Sequence, residues 1–323
     1  MISLKEYSLL MFHTITLEVT TVCNLKCPTC RVTQSGQTPR FMEFNQFANI
    51  AQALRSCICQ AQIFSLMSSE PLLHKRFFDM IDFIQGINPK IQTAIVTNGM
   101  LLDDEKQNGL LQRGIISIGV SLDGATKETH ESIRVGSKFE TIIENTKSFI
   151  RKGGRVRTIQ VSRKENIGEL LDFVDMCADI GIWCIKISGL NAYKPEHVSS
   201  CLYSYEGNPE VEEIYRQAEE KAKQKHILFT YKPTKLNPSA CCTVPHTMYV
   251  GIDGDISPCV FYSEPSPLSL LDKTTMTEPI IWGNVLEEEP LRIWYSDASL
   301  QFCRKLMYGE ECKACAMKYG VIC

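Results

Sequence analysis

Cys23, Cys27 and Cys30 stand in the run Val22-Cys-Asn-Leu-Lys-Cys-Pro-Thr-Cys-Arg31. Gaps of three and then two residues let one loop wrap around an iron–sulfur cube. A [4Fe–4S] cluster normally takes four thiolates, so a three-cysteine loop leaves one iron open to an external ligand. An open iron makes such a cluster a reaction centre rather than an electron store. The alternative is a zinc loop, which uses paired Cys-x2-Cys units and a fourth ligand close by. Here His13 comes too early, and Cys57 falls beyond a predicted helix.

A second group of thiols lies in the C-terminal half: Cys241, Cys242, Cys259, Cys303, Cys312, Cys315 and Cys323. Cys242 and Cys259 flank a predicted hairpin, and Cys312-Lys-Ala-Cys315 adds a Cys-x2-Cys pair. Those four could complete a fully ligated cluster. On their own they would equally make a zinc ribbon. Cys241 could replace Cys242, and Cys323 could replace either C-terminal ligand. Cys57, Cys59, Cys177 and Cys184 lack ligand spacing and read as small buried apolar residues. Cys201, in a polar loop, stays open between packing and a reactive thiol.

The elements that must position these thiols follow an alternating rhythm. Strands are predicted at Thr14–Thr20, Gln62–Met67, Gln92–Thr97, Ile116–Leu122, Arg155–Val161 and Trp183–Ser188. Helices are predicted between them near Asn45–Ser56, Arg76–Ile87, Asp103–Arg113, Phe139–Lys152 and Ile167–Ile180. Strict alternation implies parallel βα units. Six units predict an α/β fold, a partial (β/α)6 TIM-like barrel, with function at the C-terminal strand ends. The first cysteine loop falls at such an end. After about Asn191 the rhythm breaks, and a charged helix near Glu210–Gln224 reads as a solvated face. Tyr249–Ile252 and Asp255–Val260, joined by Asp253-Gly254, predict a hairpin, because Asp-Gly suits the positive φ of a tight turn. Leu291–Met307 reads as helical. The expected organisation is a core over 1–200, a linker and helix over 201–235, and a smaller hairpin/helix cluster domain over 236–323.

Composition limits the partners. The chain has 323 residues, 44% of them hydrophobic, enough for one large domain and a smaller one. A net charge of −3 offers no basic groove for nucleic acid and no patch for an anionic membrane. Fifteen cysteines without a visible export signal point to a reducing cytoplasm, where clustered thiols bind metal instead of pairing.

The Cys-x3-Cys-x2-Cys loop resembles the signature of the radical S-adenosylmethionine (SAM) enzymes, whose open iron holds the amino and carboxylate groups of SAM. Their Gly-Gly-Glu-Pro motif is matched here by Met67-Ser-Ser-Glu-Pro71, with Ser68 and Ser69 in place of both glycines. The resemblance implies that this turn and Glu70 hold the SAM ammonium. It further implies that Thr97 and Asn98 lie beneath the SAM carboxylate, and that Ser121 and Asp123 contact ribose or methionine groups. Arg134 would pair the carboxylate, and the segment Val161–Glu169, with Asn166 and Ile167, would line adenine. The hairpin Cys242 through Gly254 to Cys259, Trp282-Gly-Asn-Val285, Leu291-Arg-Ile-Trp294 and Cys312-x2-Cys315 resemble the SPASM/Twitch auxiliary-cluster domain. With only Cys323 after that pair, the shorter Twitch form with one auxiliary [4Fe–4S] cluster fits better.

The expectation is a radical SAM oxidoreductase with a SAM-binding [4Fe–4S] cluster, SAM and an auxiliary [4Fe–4S] cluster. It would abstract hydrogen from a small molecule and pass the remaining electron to the auxiliary cluster. A flavodoxin- or ferredoxin-like protein would supply the external electron. The alternative is maturation of a ribosomally made peptide by thioether formation, crosslinking or epimerisation. A cysteine loop at residue 23 leaves no room before it for a peptide-recognition domain, which favours the small molecule. A non-catalytic iron–sulfur or zinc module would explain the thiols but not the ordered SAM motifs.

Overall fold

The computed structural model describes residues 11–321 except 68, 239, 241, 243, 308 and 309, and not the side chains of Met67 and Met307. Ser68, Cys241 and Cys323 therefore lie outside the described residues. The expected strands form with slightly trimmed ends: β1 (Thr14–Glu18), β2 (Ile63–Met67), β3 (Gln92–Ala94), β4 (Val96–Thr97), β5 (Ser117–Ser121), β6 (Arg155–Ser162) and β7 (Cys184–Gly189). β3 and β4 are one predicted strand interrupted at Ile95. β3 pairs with β2 and β4 pairs with β5, so this strand passes from one sheet to the next. Parallel pairing of β1 with β2 and then through β5, β6 and β7 completes the partial barrel.

Helices cover the outside through apolar stripes. Phe77–Ile87 buries Phe77, Met80, Ile81 and Ile84, the spacing that puts side chains on one face. Asp103 starts the next helix, its Oδ1 accepting from the Lys106 N–H at 2.9 Å. The predicted helix over 45–56 divides into Phe44–Ala53 and Arg55–Gln60. Helix Lys127–Ile133 was not expected from the sequence. The charged helix is Pro209–Gln224, and it is not fully solvated: Val211, Tyr215, Ala218 and Ala222 are buried against helix Leu170–Ile180. A stripe of one apolar residue per turn is masked by its many charges. β8 (Leu228–Thr230) then pairs in parallel with β7.

The hairpin forms from β9 (Thr247–Val250) and β10 (Asp255–Ser257), with Gly254 at φ +91° in the turn. β9 also pairs in parallel with β1, so the hairpin extends the barrel sheet in the order β13-β10-β9-β1-β2-β3. A second hairpin, β11 (Ser266–Leu270) and β12 (Lys273–Thr277), and the short β13 (Gly283–Asn284) were not expected. The last helical stretch divides into Pro290–Trp294 and Asp297–Met307. Trp294 is fully buried, edge-on to Phe12 and Trp282, and locks this region to the start of β1. Among the described residues no helix is long and apolar enough to cross a membrane.

Candidate active site

Cys23, Cys27 and Cys30 leave the C-terminal end of β1 in one half-buried loop. The Cys30 N–H donates to the Cys27 carbonyl at 3.1 Å, and the Leu25 N–H meets the Cys23 Sγ at 3.4 Å. Burial pushes the Cys27 thiol up to about 11; Arg134 opposes this, while Cys30 and Cys23 add to it. The Cys23 thiol is raised for the same first reason. The three sulfurs thus sense one another across one small space. A coordinated thiol is deprotonated outright, so a bound iron cluster would reverse this penalty. The donor set, three thiols in one loop, fits iron–sulfur ligation.

The strand ends beside this loop form one hydrogen-bonded floor. Glu70, fully buried, accepts from the Leu72 N–H at 3.1 Å, the Thr97 hydroxyl at 2.8 Å and the Asn98 N–H at 2.8 Å. Burial raises its carboxyl pKa, against these bonds and Arg134. The Asn98 Nδ2 donates to the Asn24 Oδ1 at 2.8 Å, which ties the third strand to the cysteine loop. Gly99, at φ +79°, allows the turn; a Cβ there would lie 2.8 Å from Ile142. The Ser69 hydroxyl is buried and has no hydrogen-bond partner among the described residues, whereas Ser121 is half-buried.

Asp123 and Arg134 form an ion pair. The Arg134 Nε lies 2.7 Å from the Asp123 Oδ2, and the Asp123 Oδ1 accepts from the Val161 N–H at 2.7 Å. Arg134 also acts on Cys27, so this pair faces the loop. Asn166 braces the pair from behind, its Nδ2 donating to the Asp123 and Val161 carbonyls. Ile167 begins a 3-10 turn and packs partly buried on the core. The sequence expectation gave Glu70 and Arg134 to SAM alone. In the structure both also hold the barrel ends together, a consequence of burying a charge that must find partners.

Glu70→Ala strands three donors, and each unsatisfied buried group costs about 1–3 kcal/mol. Chemical denaturation should show a loss of at least ~2 kcal/mol, with SAM affinity falling about tenfold or more. Lost stability with an unchanged SAM dissociation constant would leave Glu70 a structural role only. His130, fully buried, has its pKa lowered to about 4 by burial and then by Arg134. The unfolded chain binds the proton near 6.5, so folding loses stability as pH falls from about 6.5 to 4. His130→Gln should remove roughly 3 kcal/mol of that pH-dependent loss, read as the difference between the two denaturation profiles.

Cys242, Cys259, Cys312 and Cys315 line one mostly apolar cavity of about 280 Å³ with Tyr249, Phe261, Tyr262 and Met317. The Cys315 N–H donates to the Cys312 carbonyl at 3.0 Å, closing the Cys-x2-Cys turn. Burial and Cys315 push the Cys259 thiol up to about 12, and burial, Cys315 and Cys259 raise Cys312. The four cysteines expected as one ligand set thus all line this cavity, a thiol-only donor set of the kind a fully ligated cluster uses. Among the described residues no three His, Cys, Asp or Glu side chains converge on a single-ion point. Cys303 is buried in the same apolar cluster. Of the other cysteines, Cys57, Cys177 and Cys184 are buried as expected, whereas Cys59 is exposed at the end of its helix. Cys201 is buried with its sulfur near the Leu190 carbonyl and the Tyr203 hydroxyl.

A further cavity of about 330 Å³ lies between the two groups, bounded by Cys27, Cys30, Asp123 and Arg134 on one side and Phe261 and Met317 on the other. Arg31, Arg163, Asn191 and Tyr193 also line it. The sequence reading assigned these four no role, because nothing in their local spacing marks them. Only the folding of strand ends and the C-terminal region onto one mouth brings them together.

Comparison with known proteins agrees with this layout. The family model described as the radical SAM superfamily matches residues 17–177. The model described as the SPASM iron-sulfur cluster-binding domain matches residues 241–316. The chain is 24% identical over 315 residues to the tungsten-containing aldehyde ferredoxin oxidoreductase cofactor-modifying protein of Pyrococcus furiosus, covering 94% of this chain and 86% of that one. It is 24% identical over 170 residues to the mycofactocin maturase MftC of Mycobacterium ulcerans, a match spanning 52% of this chain and 44% of that one. Among solved structures, anSMEcpe with bound AdoMet and Cp18Cys peptide superposes with a TM-score of 0.70 at 19% identity, covering 96% of this chain and 88% of that one. Streptococcus suis SuiB bound to precursor peptide SuiA gives a TM-score of 0.69 at 16% identity, covering 98% and 73%.

Proposed function

Because this chain belongs to the radical SAM superfamily and carries a C-terminal SPASM iron–sulfur cluster-binding domain, we propose that it is a radical SAM enzyme modifying a peptide substrate. Its cofactors are a [4Fe–4S] cluster, SAM and auxiliary iron–sulfur ligation. When bound, they supply an electron that cleaves the SAM sulfonium, a 5′-deoxyadenosyl radical that takes a substrate hydrogen, and an acceptor for the electron left behind.

The observation that carries this reading is the cavity between the two cysteine groups. Cys23, Cys27 and Cys30 would hold the first cluster, and Cys242, Cys259, Cys312 and Cys315 one auxiliary cluster. The turn at Ser68, Ser69 and Glu70 would orient the SAM ammonium. Asn98 positions the cluster loop through Asn24. Arg134, held by Asp123, presents a cation where the SAM carboxylate would lie. Thr97 and Ser121 would provide polar edges, and Ile167 an apolar one for adenine. Phe261 and Met317 exclude water on the auxiliary side, which protects a carbon radical from side reactions.

The peptide reading replaces the small molecule as first choice, because MftC is named a maturase and two similar structures hold peptides. Oxidation of a small molecule is the second reading, favoured by the near full-length match to a cofactor-modifying protein. A flavodoxin- or ferredoxin-like reductant is the proposed electron donor, and the reducing cytoplasm the proposed location. The test is anaerobic reconstitution with iron and sulfide, then incubation with SAM, dithionite and peptides encoded beside the gene. A mass change in a peptide, coupled to 5′-deoxyadenosine, is expected. Coupled turnover of carbohydrate alcohols or cofactor precursors, and of no peptide, would move the assignment to the second reading.

A further inference from the structure

The two cysteine cavities share a wall, and a buried charge stands in it. Arg31, the residue after Cys30, lines both cavities. Its Nη2 donates to the Glu18 Oε1 at 3.1 Å and its Nη1 to the Glu264 Oε1, with only 7% of its side chain exposed. Glu18 ends β1 of the barrel, whereas Glu264 follows Cys259 in the auxiliary region. One guanidinium thus joins both parts. A guanidinium stays charged across working pH, and the Glu18 and Glu264 carboxylates hold it from both sides. Arg31 lines the same cavity as Cys259 and Cys315.

We propose that Arg31 is a positioning residue for the auxiliary centre: clamped between Glu18 and Glu264, its guanidinium sets how readily a group held by Cys259 and Cys315 takes up one electron. Reduction adds one negative charge to a buried, weakly screened place. A nearby cation stabilises that form and a nearby carboxylate opposes it. Arg31 and Glu264 therefore act with opposite signs. The clamp fixes the guanidinium so that its effect does not depend on side-chain motion. The inference uses no assumption about the substrate, so it stands or falls separately from the peptide reading.

The test is a redox titration with dithionite as the one-electron source, followed by electron paramagnetic resonance. The Cys23/Cys27/Cys30→Ala background isolates the auxiliary signal, and mildly alkaline buffer keeps the carboxylates ionised. Arg31→Met should shift the reduced-to-oxidised ratio about tenfold toward oxidised, ~59 mV lower for a one-electron couple. Glu264→Gln, which keeps an acceptor for Arg31, should shift it about threefold the other way. Arg31→Lys should stay close to the parent. Iron content and circular dichroism monitor loading and fold. Should Arg31→Met fail to load, Glu264→Gln and Arg31→Lys still decide. An unchanged potential in Glu264→Gln, or shifts of the same sign in Arg31→Met and Glu264→Gln, would overturn the proposal.

Discussion

Replacing Cys23, Cys27 and Cys30 together by Ala should reduce 5′-deoxyadenosine release from SAM to the background seen with dithionite alone. The three thiols form one loop at the end of β1, and no other described cysteine shares that loop. Without them there is no ligand set to leave an iron open. The auxiliary thiols occupy a different cavity, made by the residues flanking the β9–β10 hairpin and the Cys312-x2-Cys315 turn. Iron bound there should remain, and the triple variant should still fold, because half-buried Ala side chains leave no large void. Release of 5′-deoxyadenosine above background would remove these residues from the site. Loss of all iron instead would show that both centres depend on one loop.

The second large effect concerns Cys259 and Cys315. Replacing both by Ser should lower iron from about eight to about four per chain, since two ligands of a four-thiolate set are lost. Cleavage of SAM should persist, because the first loop and the Glu70 floor are untouched. Product formation should fall by orders of magnitude if the auxiliary centre takes the electron left after hydrogen abstraction. Iron and sulfide analysis with Mössbauer spectra reads the number of clusters directly. A value near twelve in the parent protein would mean a second auxiliary cluster with ligands outside the four named. A value near four with bound zinc would assign the C-terminal thiols to a ribbon and remove their redox role.

Much of this site was legible because it is local. Three cysteines within eight residues must share a loop whatever the fold, and Cys312-x2-Cys315 must share a turn. Parallel strands also announce themselves, since short β-like runs such as β5 and β6 alternate with amphipathic helices. Asp253-Gly254 declared the hairpin through backbone sterics alone. These features depend on neighbours in sequence, so a sequence by itself determines them.

What the sequence left open depends on distant neighbours. That Cys242 and Cys259 line the same cavity as Cys312 and Cys315 requires some fifty residues between them to fold back, which no local spacing encodes. The parallel pairing of β9 with β1 was decided the same way, because a four-residue strand carries no record of its partner. Glu70 read as a ligand contact, yet burial obliges it to bond Thr97, Asn98 and Leu72 as well. Glu18, Arg31 and Glu264 look like ordinary surface charges in the sequence. Folding removes them from water, and there a charge must find its counterpart. Local spacing therefore determined which chemistry the chain carries. Tertiary packing decided which charges and thiols surround it, because burial makes every polar group choose a partner from whatever the fold brings near.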